Sequence, residues 1–154
     1  MSPKVEMKTR WQSYVLLGLQ LAALGYLLFS GPLFVLIDRP LWLALELIGT
    51  GIGAWSIIAM RFRNLHAMPD VAPDAQLVTH GPYRRVRHPI YFAVLLIFGG
   101  MLGNHCTPLR AAVFVLLAVV LDIKCRYEER LLTLRFAAYG EYQRRTKRLI
   151  PFVY

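Results

Sequence analysis

The chain has 154 residues, 56% of them hydrophobic, with 18 Lys and Arg against 9 Asp and Glu and a formal charge of +9. It is long enough for one domain, yet too apolar to cover itself with polar surface in water, which points to a lipid bilayer. The charge does not indicate nucleic acid: the basic residues gather at the ends of apolar runs, and no soluble basic stretch interleaves with exposed aromatics.

MSPKVEMKTR leads into an apolar run longer than a signal-peptide core, with no small-x-small cleavage site behind it, so the run is read as a retained first membrane helix. The segments at 11–29 and 41–60 are each about 20 residues long, matching a hydrocarbon core of roughly 30 Å at about 1.5 Å per residue. Between them lie only Asp38 and Arg39, whereas Lys4, Lys8 and Arg10 precede the first and Arg61 and Arg63 follow the second. That asymmetry predicts a cytoplasmic N-terminus. GTGIGA at 49–54 mimics a nucleotide-binding glycine loop, but no strand precedes it and it lies mid-helix. Gly49 and Gly53, four apart, are instead expected to let a neighbouring helix approach closely. Glu46 is an acid inside the second segment, near the outer interface, where it pairs or protonates.

Residues 61–88 are expected to form a cytoplasmic loop that ends in the densest polar cluster of the chain, HGPYRRVRHPIYF at 80–92. Gly81-Pro82 signals a turn, and Pro89 suits the first position of a helix while pushing His88 into extended backbone. A helix beginning there leaves the amides of Ile90 and Tyr91 without internal partners at the positive end of its dipole. Such an end binds carboxylate or phosphate, and Arg84, Arg85 and Arg87 strengthen the field. Arginines that merely anchor the topology would not explain the His-Pro step.

The apolar runs at 90–103 and 109–123 are shorter and are joined by GNHCTP, with the third and fourth membrane segments expected at 89–103 and 109–127. The fourth continues without proline through DIKCRYEERLLTLRFAAYGEYQ, so its helix is expected to emerge as a polar extension ending near Gly140 or in RRTKR. Asp122 stands four residues before Arg126, an ion-pair spacing. Glu128 and Glu129 point about 100° apart, so that one faces the bundle while the other faces water or Arg126, and Glu128 aligns with Leu132 and Arg135 on one stripe. The tail LIPFVY is expected to pack back on the bundle or the interface. Cys106 and Cys125 fall near opposite faces, which disfavours a disulfide. No histidine or cysteine spacing suggests a metal site, and no serine has a nucleophile's setting. The expected architecture is all-α: a polytopic membrane bundle of about four transmembrane helices with a cytoplasmic C-terminal helical extension at 128–154. It forms a single domain over 1–154, with both termini cytoplasmic, in a bacterial inner membrane or its equivalent.

GPYRRVRHPIY at 81–91, the pair Glu128-Glu129, Tyr139, Tyr142 and RRTKRLIP at 144–151 resemble, in order and spacing, the isoprenylcysteine carboxyl methyltransferase family and its phospholipid methyltransferase relatives. The similarity covers about the last half of the chain. It implies an integral membrane enzyme that transfers a methyl group from S-adenosylmethionine to a lipophilic or small acceptor (a carboxylate, amine or thiol) at the cytoplasmic face, with membrane lipid as a further partner. It also implies cofactor contacts from Tyr83, Arg87, His88, Pro89, Tyr91, Glu128 and Glu129, catalytic roles for Glu128 and Arg135, acceptor contacts from Arg135 and Tyr142, and no metal. Three departures stand out: Ala93 and Ala137 occupy positions where the family often has glycine, and only two spans precede the motif. The cofactor's carboxylate, ammonium and sulfonium call for an anion-binding end and an acid together, which the helix start at Pro89 and Glu128 or Glu129 would supply. The rival readings are an NADPH-dependent membrane reductase of the sterol reductase type, with a similar arginine-proline-tyrosine motif, and a non-catalytic membrane binding protein. The short chain and the acidic pair favour methyl transfer.

Overall fold

The computed structural model describes residues 3–31, 39–60 and 77–154, with side chains from Trp11 onward. The expectations for Asp38, Arg61, Arg63, the loop as far as residue 76 and the side chains of Lys4, Lys8 and Arg10 lie outside the described residues. Among the described residues five α-helices form: α1 (Pro3–Phe29), α2 (Pro40–Met60), α3 (Pro89–Asn104), α4 (Pro108–Arg135) and α5 (Tyr139–Arg145), with a 3-10 turn at Gly81–Arg84. Among the described residues there is no strand, only a single bridge between Val86 and Lys147, so the all-helical expectation holds.

Proline at the first helical position opens α2, α3 and α4, where its missing N–H costs no hydrogen bond. Thr107 caps α4 by accepting from the Arg110 amide at 3.2 Å. α2 and α3 form the closest pair. A Cβ at Gly49 would stand 2.9 Å from the Ala93 carbonyl oxygen, and one at Gly100 would stand 2.7 Å from the Trp42 carbonyl oxygen, distances no real side chain adopts. GTGIGA is therefore a helix-packing face, as its spacing suggests. Buried Ala93 belongs to that face, so its departure from glycine bears on α2. α1 lies on α4, where Ala23 and Leu27 meet Leu117 and Leu121 in a core flanked by Tyr91, Val94 and Phe98.

α1 over Trp11–Phe29 and α2 over Pro40–Met60 are long and apolar enough to cross a membrane, and only 17% and 11% of these windows are buried within the chain. Helices so apolar and so uncovered are not the core of a water-soluble protein, which fits a membrane protein. α3 is apolar but shorter, and α4, with 28 residues, extends about 42 Å.

The expected continuation of α4 toward Gly140 needs correction. The helix stops at Arg135, Phe136 takes extended backbone, and α5 begins at Tyr139. The break turns the chain so that Tyr139, 1% exposed, enters the interior. That burial replaces the helical hydrogen bonds given up between residues 136 and 138. The tail does fold back: the amides of Leu149 and Ile150 both donate to the Tyr154 carbonyl at 2.7 Å, and the Tyr154 hydroxyl donates to Asp122 at 2.9 Å.

Candidate functional site

The two polar clusters of the sequence, 42 residues apart at Arg87 and Glu129, meet where α3 begins. The 3-10 turn delivers the first of them. Gly81 has φ of +61°, a left-handed conformation suited to glycine, and a Cβ there would stand 3.1 Å from that of Ala59. Buried Tyr83 rests its hydroxyl on the Met60 sulfur at 3.7 Å. Segments 85–88 and 147–148 then pair: the Arg87 amide donates to the Lys147 carbonyl at 2.8 Å, His88 to Arg148 at 3.0 Å, and Lys147 to Arg85 at 3.0 Å. Pro89 starts α3, and Phe92 is the residue whose amide reaches back to the His88 carbonyl, at 3.1 Å. The amides of Ile90 and Tyr91 therefore have no acceptor within the helix.

Glu129, 4% exposed, is locked. Its two oxygens accept from Arg87 Nε at 2.7 Å and from Arg148 Nε at 3.0 Å. Burial would raise its carboxyl, but the neighbouring His88 imidazole and the hydrogen-bonded Arg87 guanidinium outweigh that and hold it at about 2 against the ordinary 4.5. Arg87 also donates to the Gln143 and Thr146 carbonyls. Its guanidinium thus ties α4 to the end of α5, rather than standing free to meet a ligand carboxylate. Glu128, with 19% of its side chain exposed, is the more reachable acid. It accepts from the Tyr91 hydroxyl and lies 3.4 Å from His88 Nδ1. Both glutamates face this cluster, so the expectation that one of them turns to water or Arg126 is not met. The turn of chain at Arg148 and α5 covers the side where Glu129 would otherwise be wet.

His88 stacks on Tyr91 with ring centroids 5.7 Å apart. Burial pulls its imidazole down, but the neighbouring Cys125, Glu128 and Glu129 override this and raise it well above the ordinary 6.5. At this site two buried polar atoms, His88 Nε2 and the Tyr139 hydroxyl, have no hydrogen-bond partner among the described residues. Nε2 lies 3.5 Å from a Glu129 oxygen without hydrogen-bond geometry. Burial also pushes the Tyr83, Tyr139 and Tyr142 phenols up, so they serve as neutral groups.

Of the residues singled out in the sequence, Arg87, His88, Pro89, Tyr91, Glu128 and Glu129 come together here. Tyr83 and Tyr142 form the flank, where the Tyr142 hydroxyl donates to the Tyr83 carbonyl at 2.7 Å. Arg135 stands apart: it is exposed at the end of α4, 5.8 Å over the Phe136 ring. Three contributors escaped sequence reasoning. Lys124, 1% exposed, lies 5.3 Å over the Tyr91 ring and donates to Gln20 at 2.6 Å. A lone lysine inside an apolar run was the available signal. Cys125 lies beside His88 and helps to raise its imidazole, and Arg148 is one of the basic residues of RRTKR, where no local pattern marks it. No group of three or more His, Cys, Asp or Glu suited to a metal ion occurs among the described residues.

The phospholipid methyltransferase family profile matches residues 40–139, which include the whole of α2, α3 and α4. One curated relative, the cobalt-zinc-cadmium resistance protein CzcN of Cupriavidus metallidurans, is 38% identical over 79 residues, 49% of this chain and 35% of the relative. The chain thus spans about a third of the length of the curated relative it matches.

Proposed function

The chain belongs to the phospholipid methyltransferase family, and from that premise we propose that it transfers a methyl group from S-adenosylmethionine to a lipophilic or small acceptor at the membrane's cytoplasmic face. The observation that carries the reading is the convergence of His88 and the α3 start with Glu128 and Glu129. A zwitterionic ligand with an extra positive sulfur needs donors and a carboxylate side by side. Here the amides of Ile90 and Tyr91 would take its carboxylate, and Glu128, the reachable acid, its cationic part. The buried and unsatisfied His88 Nε2 and Tyr139 hydroxyl suit a polar ligand lodged against them. When bound, S-adenosylmethionine supplies an already activated methyl carbon, so the protein's task is alignment and exclusion of water. Arg87 and Arg148 hold Glu129, and through it the wall of the site. Tyr142 fixes α5 to the turn at Tyr83. We place Arg135 at the rim, where an acceptor would pass. The acceptor class (carboxylate, amine or thiol) and the topology of four spans with both termini cytoplasmic belong to this proposal. The family match gives no support to the reductase reading.

The test is the melting temperature of the purified chain in detergent with S-adenosylmethionine, S-adenosylhomocysteine or NADPH, followed by tritiated methyl transfer into a lipid extract, a thiol panel and a prenylcysteine analogue. The two adenosyl ligands should stabilise it in proportion to their excess over Kd. Stabilisation by NADPH alone would overturn the reading.

A further inference from the structure

α4 carries a second polar face. At about 100° per residue, Ile123, Arg126, Tyr127 and Arg130 stand roughly opposite Glu128 and Cys125. They line a groove of about 390 Å³ whose other wall is Trp11, Val15 and Leu16 of α1. The two helices touch further along, at Leu27 and Leu117, and here they flank open space. The floor is apolar and the rim is basic. Trp11 opens the apolar window of α1 and is 71% exposed, which sets this level at the water–lipid boundary that indole rings favour. The two guanidiniums differ. Arg126 is held by Asp122 at 2.7 Å and by Tyr154 at 3.0 Å. Arg130 is exposed and has no partner among the described residues.

An uncompensated guanidinium over an apolar floor at the boundary matches a phosphodiester with acyl chains beneath it. We propose that this groove binds one anionic phospholipid, its phosphate on Arg130 and an acyl chain along Val15, Leu16 and Ile123. The α4 backbone separates the groove from Glu128 and His88, so this lipid is a resident ligand and not the methyl acceptor.

The proposal is tested on the full chain, stripped of lipid in neutral detergent and titrated with phosphatidylglycerol or phosphatidylcholine, with bound lipid counted by native mass spectrometry. Phosphatidylglycerol is retained preferentially. Arg130→Gln weakens it about tenfold, the value of one charge-assisted hydrogen bond. Val15→Trp, which fills the floor without changing charge, weakens it at least as much. Arg144→Gln, which removes the same charge from an exposed position on α5, leaves it unchanged. Equal retention of both lipids, equal losses in the Arg130 and Arg144 variants, complete displacement by inorganic phosphate, or dimers that fill the groove with a second copy would each overturn it. The readout is lipid binding, so the outcome is independent of whether the chain transfers methyl groups.

Discussion

Both ends of the helix bundle enclose an arginine, and the two arginines do opposite things. At the end where α1 and α3 finish, Arg110, 1% exposed, donates to the Leu27 carbonyl at 3.1 Å, the Ser30 hydroxyl at 2.6 Å and the Met101 carbonyl at 3.4 Å. These neutral acceptors lie at the negative ends of two helix dipoles, so the arginine is a double C-terminal cap. A Cβ at Gly31 would stand 2.6 Å from its Nη1, which explains the glycine. At the other end Arg87 meets a buried carboxylate, and a second carboxylate, a raised imidazole and a second arginine gather around it. Orphan polar atoms do not separate the two ends, since Arg110 Nε is unpartnered as well. Charge does. One end neutralises a cation with backbone, as a structural joint requires. The other concentrates acids and bases beside free helix amides, far more than holding helices together needs.

The comparison predicts different failures. The largest loss of stability belongs to Arg110→Ala, which uncaps two helices at once: about 3 kcal/mol or more in thermal unfolding, with affinity for S-adenosylmethionine unchanged in the protein that folds. A change in affinity there would merge the two ends into one function.

Glu129→Gln should follow closely, at about 3 kcal/mol, because it strands Arg87 and Arg148. Its pH signature is specific. The folded carboxyl sits at about 2 against an ordinary 4.5, so its contribution is complete above 4.5 and is lost as pH falls toward 2. His88 runs the other way: its folded value is raised, so its contribution is complete below 6.5 and fades as pH rises through the raised value. Melting temperature followed from pH 4.5 down to 2 should fall in the wild type, and should fall less in the Glu129→Gln protein. Parallel curves would assign the acid transition to other groups.

Removing Tyr154's hydroxyl, in Tyr154→Phe, should have the smallest effect, about 1 kcal/mol, because Arg148 keeps Glu129 while losing its tail partner. No change at all in the melting temperature would mean that the tail does not brace the site.

How far the sequence showed these features depended on whether a local rule governed each one. Pro89 set the start of α3 and the glycine spacing set the α2–α3 face, because proline and glycine act on the backbone alone. The meeting of Arg87 and His88 with Glu128 and Glu129 followed from family resemblance, since no local pattern joins positions so distant. The break after Arg135 was hidden: Phe136, Ala137 and Ala138 carry no proline or glycine, and only the burial of Tyr139 decides it. Arg110 and Lys124 were hidden for a related reason. A cation in an apolar run reveals its partner only when another helix, here α1 with Leu27, Ser30 and Gln20, is laid against it.

Whether the charged end binds the methyl donor is decided by calorimetric titration of S-adenosylmethionine into the purified wild type, His88→Ala and Glu128→Gln proteins. Saturable binding is expected of the wild type, with a loss of about 1 to 3 kcal/mol in each variant and melting temperatures close to the wild type's. Unchanged affinity in the two folded variants would contradict it.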